Sequence, residues 1–218
     1  MKFPKAYKGV KKLFIAEICE IVVAVLGIVV ATLASVAKGN NAVLAAAATL
    51  GLVAAIALIV IFVFQLVGLH QAGKDELQIQ YAFCITILGI ILSVVGSILG
   101  SLTQTRGLEL ANTFIESAVK ISQLLAAYYT LMGIASLSAK LNDSKMEKQG
   151  KALANWVIIF FMVSIVFNLL STILLPHSPA WLVTLLGILV IIAGVVELVV
   201  YVITFLYYGK AVKMLKNK

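Results

Sequence analysis

Residues 42–69 read AVLAAAATLGLVAAIALIVIFVFQLVGL and contain no charged side chain. An α-helix rises about 1.5 Å per residue, so this run is long enough to cross the roughly 30 Å hydrocarbon core of a bilayer. A transmembrane β-barrel would instead show short segments in which apolar and polar residues alternate. The run therefore predicts a membrane-spanning α-helix.

The composition of the whole chain leads to the same class of protein. Of the 218 residues, 62% are hydrophobic and 12% are charged, and the mean hydropathy is +1.11. An average soluble domain carries about 25% charged residues. A water-soluble fold cannot bury this much apolar surface, so we expect an all-α integral membrane protein that forms a single membrane domain over residues 1–218.

Five other runs are also apolar and long enough to span a bilayer. The six predicted spans are residues 13–37, 42–69, 81–102, 110–137, 152–175 and 180–208. Short connections rich in Gly, Asn and Pro separate the first span from the second and the fifth from the sixth. The spans are therefore expected to form three helical hairpins, at about residues 1–70, 71–140 and 141–218.

The basic residues predict how these helices are oriented. The chain has 17 Lys and Arg against nine Asp and Glu, a net charge of +8. Fourteen of the basic residues lie in the two tails and the two connections on the same side, whereas the other side carries Lys38 and Arg106. By the positive-inside rule, both termini are cytoplasmic and the protein lies in the plasma membrane. The clustered lysines favour contact with anionic lipid head groups and do not indicate nucleic-acid binding.

Two segments on the cytoplasmic side have helical patterns. The N-terminal tail has apolar residues at helical spacing between its lysines, which predicts a short amphipathic helix on the membrane surface. These residues are Phe3, Tyr7, Val10 and Phe14. Ser144 followed by Glu147 is a capping-box pattern, so the fifth helix is expected to begin well before its apolar part.

The first two hairpins resemble each other. A shift of 65 residues superposes three pairs, and an aromatic residue and a glycine near the end of the sixth span extend the pattern. The pairs are Cys19 with Cys84, Phe64 with Tyr129 and Gly68 with Gly133, and the third copy has Phe205 and Gly209. If the hairpins are copies, they form a parallel, pseudo-threefold repeat. Membrane hairpins also resemble one another through composition alone, which is the alternative.

The fourth span carries a row of polar residues on one face, here called the polar stripe. In an α-helix each residue is rotated by about 100° from the one before, and five polar side chains then fall within an arc of about 80° around the helix axis. They are Glu109, Asn112, Glu116, Lys120 and Gln123. A charge at the bilayer centre costs about 2.5–3.5 kcal/mol. The stripe is therefore expected to line a water-filled vestibule, a ligand pocket or a subunit interface. A self-contained i,i+4 pair of Glu116 with Lys120 is the alternative.

Two glutamates on other spans extend this candidate site. Glu197 is expected at the depth of Lys120 and could pair with it, whereas Glu20 lies one to two turns inside the cytoplasmic boundary. Glu17 is expected to be interfacial and to pair with tail lysines. The predicted substrate-binding residues are Asn112, Glu116, Lys120, Gln123, Glu197 and Glu20. An excess of carboxylates in the membrane interior favours protons or cations, or protonation of some glutamates.

The third span has a face of small residues that includes Ser93, Gly96, Ser97 and Gly100, which indicates close packing of helices.

Catalytic motifs are not found. Asp75 and Asp143 are the two aspartates, and both lie in cytoplasmic connections, which excludes a paired-aspartate intramembrane protease. We predict no catalytic residue, no metal site and no cofactor, although a glutamate-based enzyme stays open.

These patterns favour a multi-pass membrane protein that binds or translocates a small polar or cationic solute. It could act as a transporter, a channel or the substrate-binding subunit of a transporter. The alternative is a non-transporting membrane subunit, an assembly partner or a lipid-binding protein, in which the polar stripe contacts another protein. A homo-oligomer or a partner subunit would fit that alternative.

Overall fold

The protein is a bundle of six long α-helices, seen in a computed structural model that describes residues 2–37, 41–101, 106–174 and 180–217. The helices are α1 (Pro4–Val36), α2 (Asn41–Gly73), α3 (Leu77–Ser101), α4 (Arg106–Lys140), α5 (Ser144–Leu174) and α6 (Ala180–Asn217). Each helix contains one predicted span. All six extend beyond the apolar run at the end of the bundle where both chain termini lie, which we call the basal end.

Five of the helices are long and apolar enough to cross a membrane. They are α1, α2, α3, Ala111–Lys140 of α4 and Val183–Asn217 of α6, while α5 does not reach this level over its described residues. Large apolar side chains cover the outside of the bundle; for example, Ile28 is 68% exposed and Leu52 is 63% exposed. Such a continuous apolar surface is compatible with lipid and not with water. The prediction of a helical, multi-pass membrane protein is confirmed.

The helices pack as a ring in chain order. Each helix contacts its neighbours along the chain, and α1 closes the ring against α6. The α1–α2 and α3–α4 pairs pack most extensively, whereas α5 and α6 are more loosely joined. The pseudo-threefold repeat stays a prediction. Gly68 and Gly133 face the other helix of their own hairpin, but Gly209 faces Phe14 of α1.

Tight packing is concentrated at the basal end. The large, fully buried side chains there include Val10, Ile79, Leu131, Ile134, Leu137 and Leu215. In contrast, a Cβ atom added at Gly27, Gly187 or Gly194 would meet no atom of the described residues within 4 Å. The described helices are therefore held together at the basal end and pack less densely towards the opposite end.

The N-terminal amphipathic segment is the first part of α1, so the prediction of a separate surface helix is wrong. Ala6 and Val10 are fully buried in the bundle. The main-chain N–H of Ala6 donates to Asp75 Oδ2 at 2.7 Å, which satisfies one of the free donors at the start of α1. Apolar residues at helical spacing suit a helix interface as well as a membrane surface, and here they form an interface.

The basal connections are held by polar contacts. Lys140 Nζ and Glu76 Oε2 form an ion pair at 2.7 Å, which ties the end of α4 to the connection between α2 and α3. The fifth helix begins at Ser144, before its apolar part, as expected. Its cap is the preceding residue, because Asp143 Oδ1 accepts the main-chain N–H of Met146 at 3.1 Å.

Candidate functional site

The polar stripe of α4 faces a cleft between α3 and α4, which we call the outer cleft. Its volume is about 490 Å³, and Asn112, Glu116, Lys120 and Gln123 all line it. Glu109 also lies in α4, but its side chain is outside the described residues. The structure therefore brings four of the six predicted binding residues to one cleft, in which Glu116, Lys120 and Gln123 are exposed and Asn112 is partly buried.

The polar groups of the outer cleft are only partly satisfied by one another. Asn112 Nδ2 donates to Glu116 Oε1 at 2.9 Å, while Asn112 Oδ1 is buried without a hydrogen-bond partner among the described residues. The ion pairs of the described chain are Lys140 with Glu76 and Lys151 with Glu147, and they do not include Glu116 with Lys120. The cleft thus holds a carboxylate and an ammonium that do not neutralise each other by direct contact.

Serines and glycines of α3 form the opposite wall. Ser93 Oγ donates to the carbonyl of Gly89 at 2.9 Å, and Ser97 Oγ donates to the carbonyl of Ser93 at 2.9 Å. A hydroxyl that donates within its own helix can still accept hydrogen bonds from a neighbour or a ligand. A Cβ atom at Gly96 would lie 3.0 Å from Ile115 Cγ2, so this glycine lets α3 approach α4 closely.

A larger cavity of about 780 Å³ lies within the ring, between α1, α2, α3, α4 and α6. We call it the central cavity. Ser93, Ser97 and Gln123 line both this cavity and the outer cleft, so the two spaces adjoin along α3 and α4. Thr86 and Thr130 add polar groups to its walls. Polar side chains therefore follow α3 and α4 from the outer cleft into the bundle.

Two polar residues of the first hairpin face the base of the central cavity. Glu17 and Gln65 both line it, and Gln65 Nε2 donates to Glu20 Oε1 at 2.6 Å. Glu20, a predicted binding residue, is thus held against a residue of the cavity wall without lining the cavity itself. Tyr201 Oη of α6 donates to the main-chain oxygen of Glu17 at 3.4 Å.

The prediction that Glu17 pairs with lysines of the N-terminal tail is wrong for the described residues. Glu17 faces the cavity, and neither described ion pair includes it. Among the tail lysines, Lys12 lies over the ring of Phe64, with its Nζ 6.0 Å from the ring centroid. The depth of Glu17 along the helix suggested an interfacial position, but the helix extends beyond the apolar run and places this carboxylate inside the bundle.

Sequence reasoning missed Gln65, Ser93 and Ser97 as cavity residues. Gln65 carried a usable signal, because apart from Thr49 it is the one hydrogen-bonding side chain in the charge-free run 42–69. The two serines gave no such signal. Small residues on a membrane helix commonly serve close packing, and they do so here as well as lining the cleft.

The predicted partner of Lys120 is Glu197. Glu197 belongs to α6, but its side chain lies outside the described residues. The backbone of α6 packs mainly against α1 and α5 and touches α4 only narrowly. The pairing of Lys120 with Glu197 therefore stays a prediction.

Within the described part of the chain, no group of three His, Cys, Asp or Glu side chains is placed to hold a metal ion. Comparison of the chain with family models, with characterised proteins and with solved structures finds no match. The chemistry of the two adjoining cavities is therefore the basis for interpreting the site.

Proposed function

We propose that this protein binds or translocates a small polar or cationic solute, with the outer cleft and the central cavity as the solute path. The observation that carries the proposal is that the two spaces share Ser93, Ser97 and Gln123. This sharing links the polar stripe of α4 to Glu17 and Gln65 near the basal end.

Polar groups inside a membrane bundle are costly unless they meet water, a ligand or one another. In the outer cleft, Glu116 and Lys120 are not paired directly, and Asn112 Oδ1 has no described partner. Water or a solute in the cleft would supply the missing partners. The cleft is therefore better suited to a solvated ligand than to dry packing of helices.

The charges and size of the path favour a small cation or a small polar molecule. Around the two cavities, Glu17, Glu20 and Glu116 provide three carboxylates against the ammonium of Lys120. The central cavity, at about 780 Å³, falls in the range of about 300–1,000 Å³ that is usual for small-molecule pockets. Lys120 could contact an anionic part of a zwitterionic solute.

The position of the cavity in the bundle supports entry from the end opposite the termini. The buried side chains of Leu13 and Leu69 line the floor of the central cavity, below which the basal core is tightly packed. The lysine asymmetry of the sequence supports a cytoplasmic basal end in the plasma membrane. Release of a solute to the cytoplasm would therefore require the basal end to open.

Cysteine accessibility tests whether the path is solvated. In a background in which Cys19 and Cys84 are replaced by alanine, Gln123→Cys should react with a water-soluble, membrane-impermeant thiol reagent. Leu125→Cys is the matched control, because Leu125 lies two residues further along α4 and is 37% exposed on the outside of the bundle. It should stay unreactive in lipid, since the thiolate that reacts needs water.

Failure of Gln123→Cys to react in intact membranes would contradict the solvated path. It would instead favour the alternative function, a non-transporting subunit or assembly partner whose polar stripe contacts another protein.

Solute binding is then tested with the purified protein. A panel of small organic cations and zwitterions is screened for thermal stabilisation, because a ligand at about 100 times its Kd stabilises a protein by about 2.7 kcal/mol. Glu116→Gln should remove the stabilisation, and Lys8→Met, at an exposed lysine outside both cavities, should leave it unchanged.

A further inference from the structure

A third pocket lies on the outside of the ring, between α5 and α6. Its volume is about 600 Å³, and its walls are mainly apolar, with Trp156 and Phe160 on α5 and Val199 and Ile203 on α6. Its lining residues are different from those of the outer cleft and the central cavity. We call it the α5/α6 groove, and its function does not depend on the proposed solute path.

Over the described side chains, the firm contacts between α5 and α6 are at the basal end of the groove. There, the ring of Tyr207 fills the space above Gly150, and a Cβ atom at Gly150 would overlap it. Tyr207 Oη donates to the main-chain oxygen of Met146 at 3.3 Å, between buried atoms. Further along α6, a Cβ atom at Gly187 or Gly194 would contact none of the residues that the structure describes. The two helices therefore leave an apolar groove between them that opens sideways, towards lipid.

Lysines surround the basal mouth of this groove. Lys210 is itself a lining residue, and Lys213 follows it by three residues, on the same helical face. On α5, Gln149 and Ala152 line the groove. Helical periodicity places the residues four positions before them, Lys145 and Lys148, on the same face one turn closer to the mouth.

The positive charge at the mouth is not neutralised by the acidic residues nearby. All four mouth lysines are exposed, and the described ion pairs use Lys140 and Lys151 instead. Glu147 is held by Lys151 at 2.7 Å, and Asp143 caps the start of α5. The mouth therefore presents four cationic side chains next to a long apolar groove.

We propose that the α5/α6 groove is a binding site for an anionic phospholipid, with an acyl chain in the groove and the phosphate at the lysines. From Lys210 to Val195 the groove extends about 22 Å along α6. One leaflet contributes roughly 15 Å of hydrocarbon, so this length holds an acyl chain and reaches the head-group region. A zwitterionic phospholipid fills the apolar part equally well but gains no net attraction from the lysines. The site therefore selects for head-group charge.

Trp156 provides a direct reporter, because it lines the groove and stacks on Phe160 with ring centroids 5.4 Å apart. The chain has two tryptophans, so a Trp181→Phe background leaves Trp156 as the one fluorophore of this type. The full chain is placed in phosphatidylcholine nanodiscs that contain increasing fractions of brominated phosphatidylglycerol or brominated phosphatidylcholine. Bromine on the acyl chain quenches tryptophan when the lipid occupies the groove.

The expected result is half-maximal quenching at a roughly tenfold lower fraction of phosphatidylglycerol than of phosphatidylcholine, given the attraction of a few lysines for an anionic head group. Changing Lys145, Lys148, Lys210 and Lys213 to Gln should abolish the difference between the two lipids. The matched control changes Lys5, Lys8, Lys11 and Lys74 to Gln. It removes the same charge from exposed positions that do not line the groove and should keep the preference.

A second pair of variants tests the acyl-chain part of the site. Val199→Phe fills the groove and should reduce quenching by both lipids, whereas Val202→Phe, at an exposed position outside the lining, should not. Equal quenching by the two lipids in the parent protein would overturn the proposal. So would a preference that survives loss of the four mouth lysines. Absence of quenching by either lipid would overturn it as well.

Discussion

A close approach of α1 to α2 at Gly9 offers a quantitative test of the basal packing. Gly9 of α1 faces Gly68 and Ala72 of α2. A Cβ atom built at Gly9 would lie 2.5 Å from the main-chain nitrogen of Ala72 and 2.6 Å from its Cβ, and it would also overlap the carbonyl oxygen of Gly68. Ordinary van der Waals contact is 3.4–4 Å. In Gly9→Ala, α1 must therefore move away from α2 by about 1 Å.

The expected cost follows from two opposing effects. Overpacking of a closely packed interface costs about 1–3 kcal/mol. Replacing glycine by alanine within a helix stabilises the folded protein by about 0.8–1 kcal/mol, because alanine has the higher helix propensity. The shift also separates the buried Ala6 and Val10 from their neighbours. We expect Gly9→Ala to lower the free energy of unfolding by about 1–2 kcal/mol.

The matched control is Gly27→Ala, in the same helix. A Cβ atom at Gly27 meets nothing within 4 Å, so this change should be neutral or slightly stabilising. Thermal unfolding of the purified protein in detergent measures both variants. At about 2–4 °C per kcal/mol for a chain of this size, Gly9→Ala should lose about 2–8 °C. If Gly9→Ala melts at the same temperature as the parent protein, or if Gly27→Ala is destabilised equally, the close packing of α1 against α2 at Gly9 is refuted.

Three further predictions concern the basal end and the topology. Lys140→Met should lower the unfolding free energy by about 1–3 kcal/mol, towards the lower value because Lys140 is 47% exposed. Adding Glu76→Gln should recover part of that loss in the same melting assay. Tyr207→Phe should cost about 0.5–1.5 kcal/mol by removing a buried hydrogen bond between α6 and α5, and an unchanged melting temperature would contradict that contact. In intact cells, Asn41→Cys should react with an impermeant thiol reagent that is added outside, and Lys145→Cys should not. The reverse labelling pattern would show the opposite orientation in the membrane.

The class of protein and the number of helices followed from the sequence, because both depend on residues that are contiguous in the chain. A run such as 42–69 is apolar enough to enter a bilayer whatever it packs against, and α2 indeed contains it. The face of α4 that carries Asn112, Glu116, Lys120 and Gln123 was predictable for a related reason. Helical periodicity places these side chains together on the face of α4 that lines the outer cleft.

What lies opposite that face was not predictable from the chain. Gln123 shares its surroundings with Ser93 and Ser97 of α3, and the cavity that they line reaches Glu17 and Gln65 of the first hairpin. These contacts depend on which faces of α1 to α4 and α6 meet. Lipid is as apolar as the helices, so burial of apolar surface does not select those faces.

Close packing selects them instead, through the detailed shapes of side chains far apart in sequence. Because Gly9 has no side chain, Ala72 can pack directly against it, and Tyr207 packs against Gly150 for the same reason. The apolar spacing around Val10 illustrates the same limit, since it fits both a membrane surface and the buried helix interface that it forms. Insertion into the membrane is thus encoded locally, whereas the cavities arise from steric fit between distant segments.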